Sequence, residues 1–232
     1  MYKRQGLNYT HVNNSDGDLS LQNLGLHANG DIAGLKYAAE VDYQFGDGDD
    51  KDFGGYGILA KVGYQFDPVN VRLSVARGSG DNDATDDKNK EFQTLVGNDN
   101  QGATARQTHY TQIYERTLQT AAAYNLLGNT RTTGIANTTY FNLGADVTPV
   151  KELGISLDGY LLRATKTKAF GDDVSKNIGW EIDSKISYKL AKNLNYFIEA
   201  GLFKAGDFYE DAKGLTDQKT VKQAVHGLSL TF

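Results

Sequence analysis

At 232 residues, with 26 Gly, 14 Tyr and 10 Phe against 2 Pro and no Cys, the chain has the composition of an all-β protein with tight turns, and the lack of cysteine excludes disulfides, thiol nucleophiles and cysteine-based metal sites. The net charge of −5 argues against a nucleic-acid partner, which requires a basic face. No run approaches the roughly 18 apolar residues of a spanning helix, yet this polar average does not exclude a membrane, because in a transmembrane barrel only alternate residues face lipid.

Residues 1–5, Met-Tyr-Lys-Arg-Gln, share no pattern with the rest of the chain and resemble the translated end of a transposon sequencing adapter. They are therefore set aside, and residues 6–232 are expected to form a partial barrel. A first strand is predicted near residues 7–12. Leu24, Leu26 and Ala28 then alternate up to Gly30, and after a short turn at Asp31-Ile32-Ala33 the same face continues through Leu35, Tyr37, Ala39, Val41, Tyr43 and Phe45, a strong period-two signal. An acidic loop at 46–52 leads to Tyr56, Ile58, Ala60, Val62, Tyr64 and Phe66, a turn at Asp67-Pro68-Val69-Asn70, and a return through Val71, Leu73 and Val75. Short turns and long loops alternate, as barrel hairpins do.

Residues 79–136 break that rhythm. Parity requires an even number of strands within them, and none is the simplest choice, which makes the stretch one long outer loop. Ile113, Leu118, Ala121, Ala122 and Leu126 stand at near-helical spacing ahead of Gly128, so a helix over 110–127 is predicted, folded into the mouth or lumen. Loops of this length are functional or disordered.

Alternation resumes with Phe141, Leu143, Ala145 and Val147, turns at Thr148-Pro149-Val150-Lys151, and returns through Ile155, Leu157, Gly159 and Leu161. After a loop at 166–176, the run Ile178, Trp180, Ile182, Ser184, Ile186, Tyr188 and Leu190 reaches a turn at Ala191-Lys192-Asn193. Tyr196, Ile198, Ala200 and Leu202 then lead to a loop at 206–218. Both prolines sit in short turns, where a missing N–H costs nothing. The last strand puts Ala224, Leu228, Leu230 and Phe232 on one face and Val225, Gly227, Ser229 and Thr231 on the other. With Gly227, Leu230 and the terminal Phe232 in place, it resembles the assembly signal of bacterial outer-membrane β-barrels, although the usually polar first position is Val225.

The segments make about ten strands, and strands of 12 to 14 residues at about 3.3 Å per residue, tilted by roughly 40°, cross an apolar band of about 25 to 30 Å. Tyr64, Phe66, Tyr188 and Phe232 fall at the predicted periplasmic ends, and Tyr43 and Phe45 at the outer ends, where aromatic girdles belong.

The stretch 34–45, the run Ala76-Arg77-Gly78-Ser79-Gly80-Asp81-Asn82-Asp83-Ala84-Thr85-Asp86 with Lys88-Asn89-Lys90-Glu91-Phe92, and the hairpin 178–208, above all its Trp180-Glu181-Ile182-Asp183 and Ala205-Gly206-Asp207-Phe208, resemble the alginate-export family of outer-membrane porins. The resemblance covers residues 19–232. It implies an antiparallel up-and-down transmembrane barrel of eighteen strands, of which these ten are the C-terminal portion, with about eight more alternating segments and a signal peptide upstream. It also implies location in the bacterial outer membrane and passive export of an alginate-like anionic polysaccharide or related solute. The expected partners are outer-membrane lipid and lipopolysaccharide, the barrel-assembly machinery and the transported solute.

The faces opposite the apolar ones would then line the pore. They carry Lys36, Glu40 and Asp42, Lys61 and Gln65, Arg72, Asp158 and Tyr160, Glu181, Asp183, Lys185 and Ser187, and Asn195 and Glu199. A water-filled lumen solvates such charges where a soluble core does not. Basic rings are the physical device for anion passage, but here acidic residues outnumber basic ones, which leaves a lining that only keeps the lumen wet as a second reading.

No catalytic constellation stands out. There is no Gly-x-Ser-x-Gly elbow and no Ser and His on one outward face near the outer rim. His11, His27, His109 and His226 lack metal-ligand spacing, and no cofactor is expected. The acidic loops 46–52 and 81–87 lack the complete calcium-loop pattern and read as solvated or lipopolysaccharide-facing. Two alternatives remain: a general porin for small solutes, and a soluble β-barrel binding protein with its apolar face inside.

Overall fold

Alternating apolar residues from segments far apart in the chain come together on one face of a single sheet. The computed structural model describes residues 3–14, 18–48, 50–83, 85–94, 110–118, 121, 134–216 and 220–231. The long strands are β1 (Lys3–Asn14), β2 (Leu19–Ile32), β3 (Leu35–Gly48), β5 (Tyr56–Phe66), β6 (Val69–Gly78), β8 (Thr138–Val150), β9 (Leu153–Ala164), β10 (Asn177–Ala191), β11 (Leu194–Ala205) and β12 (Thr220–Leu230). Two short strands, β4 (Lys51–Phe53) and β7 (Lys88–Asn89), and one helix, α1 (Phe208–Lys213), lie between them.

Each long strand pairs antiparallel with its neighbours in the order β1-β2-β3-β5-β6-β8-β9-β10-β11-β12. This is the up-and-down order that parity requires, with the long loop adding no spanning strand among the described residues. Its β7 pairs in parallel with β4, which hangs from the end of β3. Among the described residues β1 and β12 are paired on one side only. The sheet curls, because Lys36 on β3 and Glu199 on β11 line the same cavity. Residues 3–5 are the first of β1, opposite Gly30, Asn29 and Ala28.

Local chemistry sets the short turns. Between β2 and β3, Ala33 and Gly34 both take positive φ, 53° and 85°, the two-residue geometry that matches strand twist, and the Gly34 N–H donates to Asp31 Oδ1 at 3.0 Å. Pro149 falls in the irregular stretch of β8 between Val147 and Val150, where the ladder asks nothing of its nitrogen.

The two faces of the sheet differ in kind. The convex face exposes Leu26, Leu143, Leu161 and Leu228, each by about 60%, together with Ile58, Leu73, Ile182 and Ile186. Tyr64 and Phe66 meet at a tilt at the short-turn end with centroids 4.7 Å apart, and Tyr43 and Phe45 stack at the long-loop end. A continuous apolar belt of this extent fits hydrocarbon and not water. The soluble-barrel alternative required the opposite arrangement.

Three local features depart from simple alternation. Ile178, expected on the lipid face, is fully buried on the inner side. Gly179, at φ 137°, creates a bulge: Asn177 and Gly179 oppose the adjacent residues Arg163 and Leu162, and the extra residue turns Ile178 inward while Trp180 and Ile182 stay outward. Residues 110–118, expected to begin a helix, form a turn in which the N–H groups of Thr117 and Leu118 both donate to the Ile113 carbonyl. The remainder of that predicted helix, apart from Ala121, lies outside the described residues. Finally, the loop after β11 contains α1, closed by Gly214 in the left-handed conformation.

Candidate pore lining and its inward-folded loop

Strand register carries inner-face residues into rows that run across the sheet. One row reads Lys36, Gly63, Arg72, Gly144, Asp158, Asp183, Gly201 and Gln223. Toward the short-turn end the next row holds Asn70, Asp146, Ser156, Lys185 and Glu199. Toward the long-loop end the rows become Lys61, Ser74, Asn142, Tyr160, Glu181 and Phe203, and then Leu59, Ala76, Tyr140 and Leu162. The lining is therefore richest in charge near the short turns, mixed in the row of Lys61 and Glu181, and apolar in the row nearest the long loops. Between the two regions lies a cavity of about 760 Å³.

Glycine makes the charged row possible. The Arg72 guanidinium lies across Gly144, where a Cβ would collide with Asp158 Oδ1 and lie 3.0 Å from Arg72 Cζ. Arg72 thus bridges two strands, with Nε 2.7 Å from Asp146 Oδ2 and Nη2 3.0 Å from Asp158 Oδ2. Asn70 and Asn142 donate to the same two carboxylates. Nearby, Glu199 accepts from Lys185 at 3.0 Å and from Arg116 at 3.5 Å.

The remaining acids are taken up by the long loop. Glu181 is fully buried and Asp183 nearly so, because the segment 110–118 folds onto them. The N–H groups of Ile113 and Tyr114 donate to Glu181 Oε1 and Oε2 at 2.6 and 2.9 Å, and that of Gln112 donates to Asp183 Oδ2 at 3.0 Å. Gly201 leaves room for this approach, since a Cβ there would meet Gln112 Cβ at 2.9 Å. The apolar rows then close over the loop: Ile113, Tyr114 and Ala121 pack with Ala76, Tyr140, Leu162, Ile178, Phe203 and Phe208. Burial pushes the Tyr114 phenol above its ordinary value, so it stays neutral, 2.7 Å from Thr138 Oγ1 and accepting from the Ala121 N–H.

Of the residues expected in the lining, Lys36, Lys61, Arg72, Asp158, Tyr160, Asp183, Lys185 and Glu199 all line this same cavity. Glu181 lies behind the loop. Glu40 and Asp42 stand on β3 outside the cavity, Asp42 accepting from Asn23 at 2.8 Å. Lys36 and Lys61 make no ion pair with any described residue.

Sequence reasoning passed over Asp146, although the outward positions Ala145 and Val147 already placed it inside. It also missed Tyr110, Gln112 and Arg116, because the near-helical spacing of Ile113, Leu118 and Ala121 pointed to a helix and not to a turn folded onto the strands. In the terminal strand Leu230 faces outward, half-exposed. Gly227 leaves space for the Phe197 ring, whose Cζ would lie 2.8 Å from a Cβ there. Phe232 is outside the described residues.

Compared with known protein families, residues 3–222 match the model described as alginate export. No curated protein matches the chain.

Proposed function

The chain belongs to the alginate-export family, a family of outer-membrane transport channels, and from that premise we propose that it forms wall and lining of a bacterial outer-membrane channel for passive export of an alginate-like anionic polysaccharide. The observation that carries this is a pair of cavity-lining cations that no carboxylate holds. Asp146 and Asp158 share Arg72, Glu199 holds Lys185 and Arg116, and Glu181 and Asp183 accept from loop N–H groups. Among the described residues, the cationic side chains that line the cavity without a carboxylate partner are Lys36 and Lys61, on adjacent strands. They make the β3–β5 stretch of the wall locally basic, which favours anions there. The apolar convex face supports insertion in outer-membrane lipid, and Gly227 and Leu230 support handling by the barrel-assembly machinery.

The test is single-channel recording from the assembled channel that carries this chain, with uronate oligomers on one side. Uronate oligomers are expected to interrupt the current at concentrations where neutral oligosaccharides of equal length do so at least tenfold less often. Equal interruption by both would replace this reading with a general small-solute porin.

A further inference from the structure

The cavity wall changes from charged to apolar at one ring. Tyr110, on the inward-folded loop, is half-buried and lines the cavity. It is held from several directions: it stacks on Tyr140 with centroids 4.5 Å apart and planes 23° from parallel, Tyr160 flanks it at 6.2 Å, and its hydroxyl donates to the Gly134 carbonyl at 3.1 Å. Asn142, Gln112, Ser74 and Lys61 line the cavity with it.

A fixed aromatic surface bordered by hydrogen-bonding side chains and an ammonium matches a sugar ring. A pyranose presents an apolar C–H face and, at its edge, hydroxyls and, in a uronate, a carboxylate. Saccharide and other ligand sites commonly combine such an apolar surface with a few placed polar groups. Resting on the channel reading above, we infer that Tyr110 is the platform of a pyranose-binding subsite: a sugar ring of the passing chain lies on it, and Lys61, Asn142 and Gln112 meet the polar edge. The subsite sits on the loop that narrows the lumen, so each sugar unit pauses there in transit. The platform recognises the ring, and the free lysines recognise the charge.

Because these contributions are separable, current recordings with three probes test the platform independently of the anion preference: a uronate oligomer, a neutral hexose oligomer of the same length, and inorganic polyphosphate, which has charge and no ring. Tyr110→Leu keeps an apolar side chain under the loop and removes the aromatic face; Tyr110→Phe keeps the face. Tyr110→Leu is expected to shorten the dwell of both saccharides about three- to tenfold and leave polyphosphate dwell and chloride conductance unchanged, while Tyr110→Phe retains saccharide dwell. Unchanged saccharide dwell in Tyr110→Leu, an equal loss for polyphosphate, or an equal loss in Tyr110→Phe would overturn the platform. If uronate and neutral oligomers dwell alike but both depend on the Tyr110 ring, the anion preference fails and the platform stands.

Discussion

The Arg72 guanidinium reaches from β6 across β8 to the Asp158 carboxylate on β9, 3.0 Å away, and it does so over Gly144. A side chain at Gly144 has to displace either the guanidinium or the carboxylate. Gly144→Ala should therefore destabilise the folded barrel by about 1–2 kcal/mol, in the range for overpacking, despite alanine's lower conformational cost in a strand. Equilibrium urea unfolding in detergent or lipid measures it. Adding Arg72→Ala should recover part of that loss in a double-mutant cycle; strictly additive effects would mean that the two residues do not meet.

Lys36 and Lys61 face the cavity with no carboxylate partner among the described residues, so their charge acts directly on passing ions. Lys36→Glu and Lys61→Glu should each shift the reversal potential in a salt gradient toward cation selectivity, and the double substitution should shift it further. Lys185→Gln should have a smaller effect than Lys61→Gln, which removes the same single charge, because Lys185 is paired with Glu199 and Lys61 is not. The ranking is the test: an effect of Lys185→Gln equal to that of Lys61→Gln would mean that the pairing does not determine the free charge.

How much of this was legible in the sequence depends on which forces act locally. The strands, their order and the two faces could be read because period-two alternation and turn chemistry are written along the chain. Tyr43, Tyr64 and Phe66 could be placed at the rims for the same reason. The fate of Glu181 and Asp183 could not, because it depends on a loop about seventy residues earlier that covers them and donates backbone N–H groups, which any sequence supplies. A hint existed in the inner-face positions Leu59, Ala76, Tyr140 and Leu162, which share one row, with Phe203 in the row beside it. A wet lumen has no use for such a run of apolar residues, and a packed loop does.

The carboxylate of Glu181 holds two loop amides at once. Glu181→Ala leaves the N–H groups of Ile113 and Tyr114 without acceptors in a buried site, at a cost of about 1–3 kcal/mol. Hydrogen exchange at those two amides should accelerate by roughly 5- to 150-fold, and open-channel current noise should rise as the segment undocks. Asp183→Ala removes a single acceptor, that of Gln112, and should produce a smaller change at that amide. Unaltered exchange in Glu181→Ala would show that apolar packing alone holds the loop.

Ile178 and Ile182 lie on one strand at a spacing that simple alternation assigns to one face, yet the bulge at Gly179 sends them to opposite sides. Ile178 is packed among inner residues, whereas Ile182 is 46% exposed on the outer face. Their substitutions should therefore have contrasting costs. Ile178→Ala opens a cavity under the loop and should cost about 2–5 kcal/mol. Ile182→Ala exchanges a lipid contact for a smaller one and should cost under about 1 kcal/mol, because lipid flows into the space. With arginine the basis changes: Ile182→Arg should cost about 2–4 kcal/mol if it lies near the bilayer midplane. Unfolding in detergent micelles and in bilayers separates the two mechanisms, since the Ile178→Ala cost should be much the same in either solvent, while the Ile182→Arg cost should fall where water reaches the outer face. If Ile178→Ala proved as mild as Ile182→Ala, both residues would have to face lipid, and the bulge would not turn the strand.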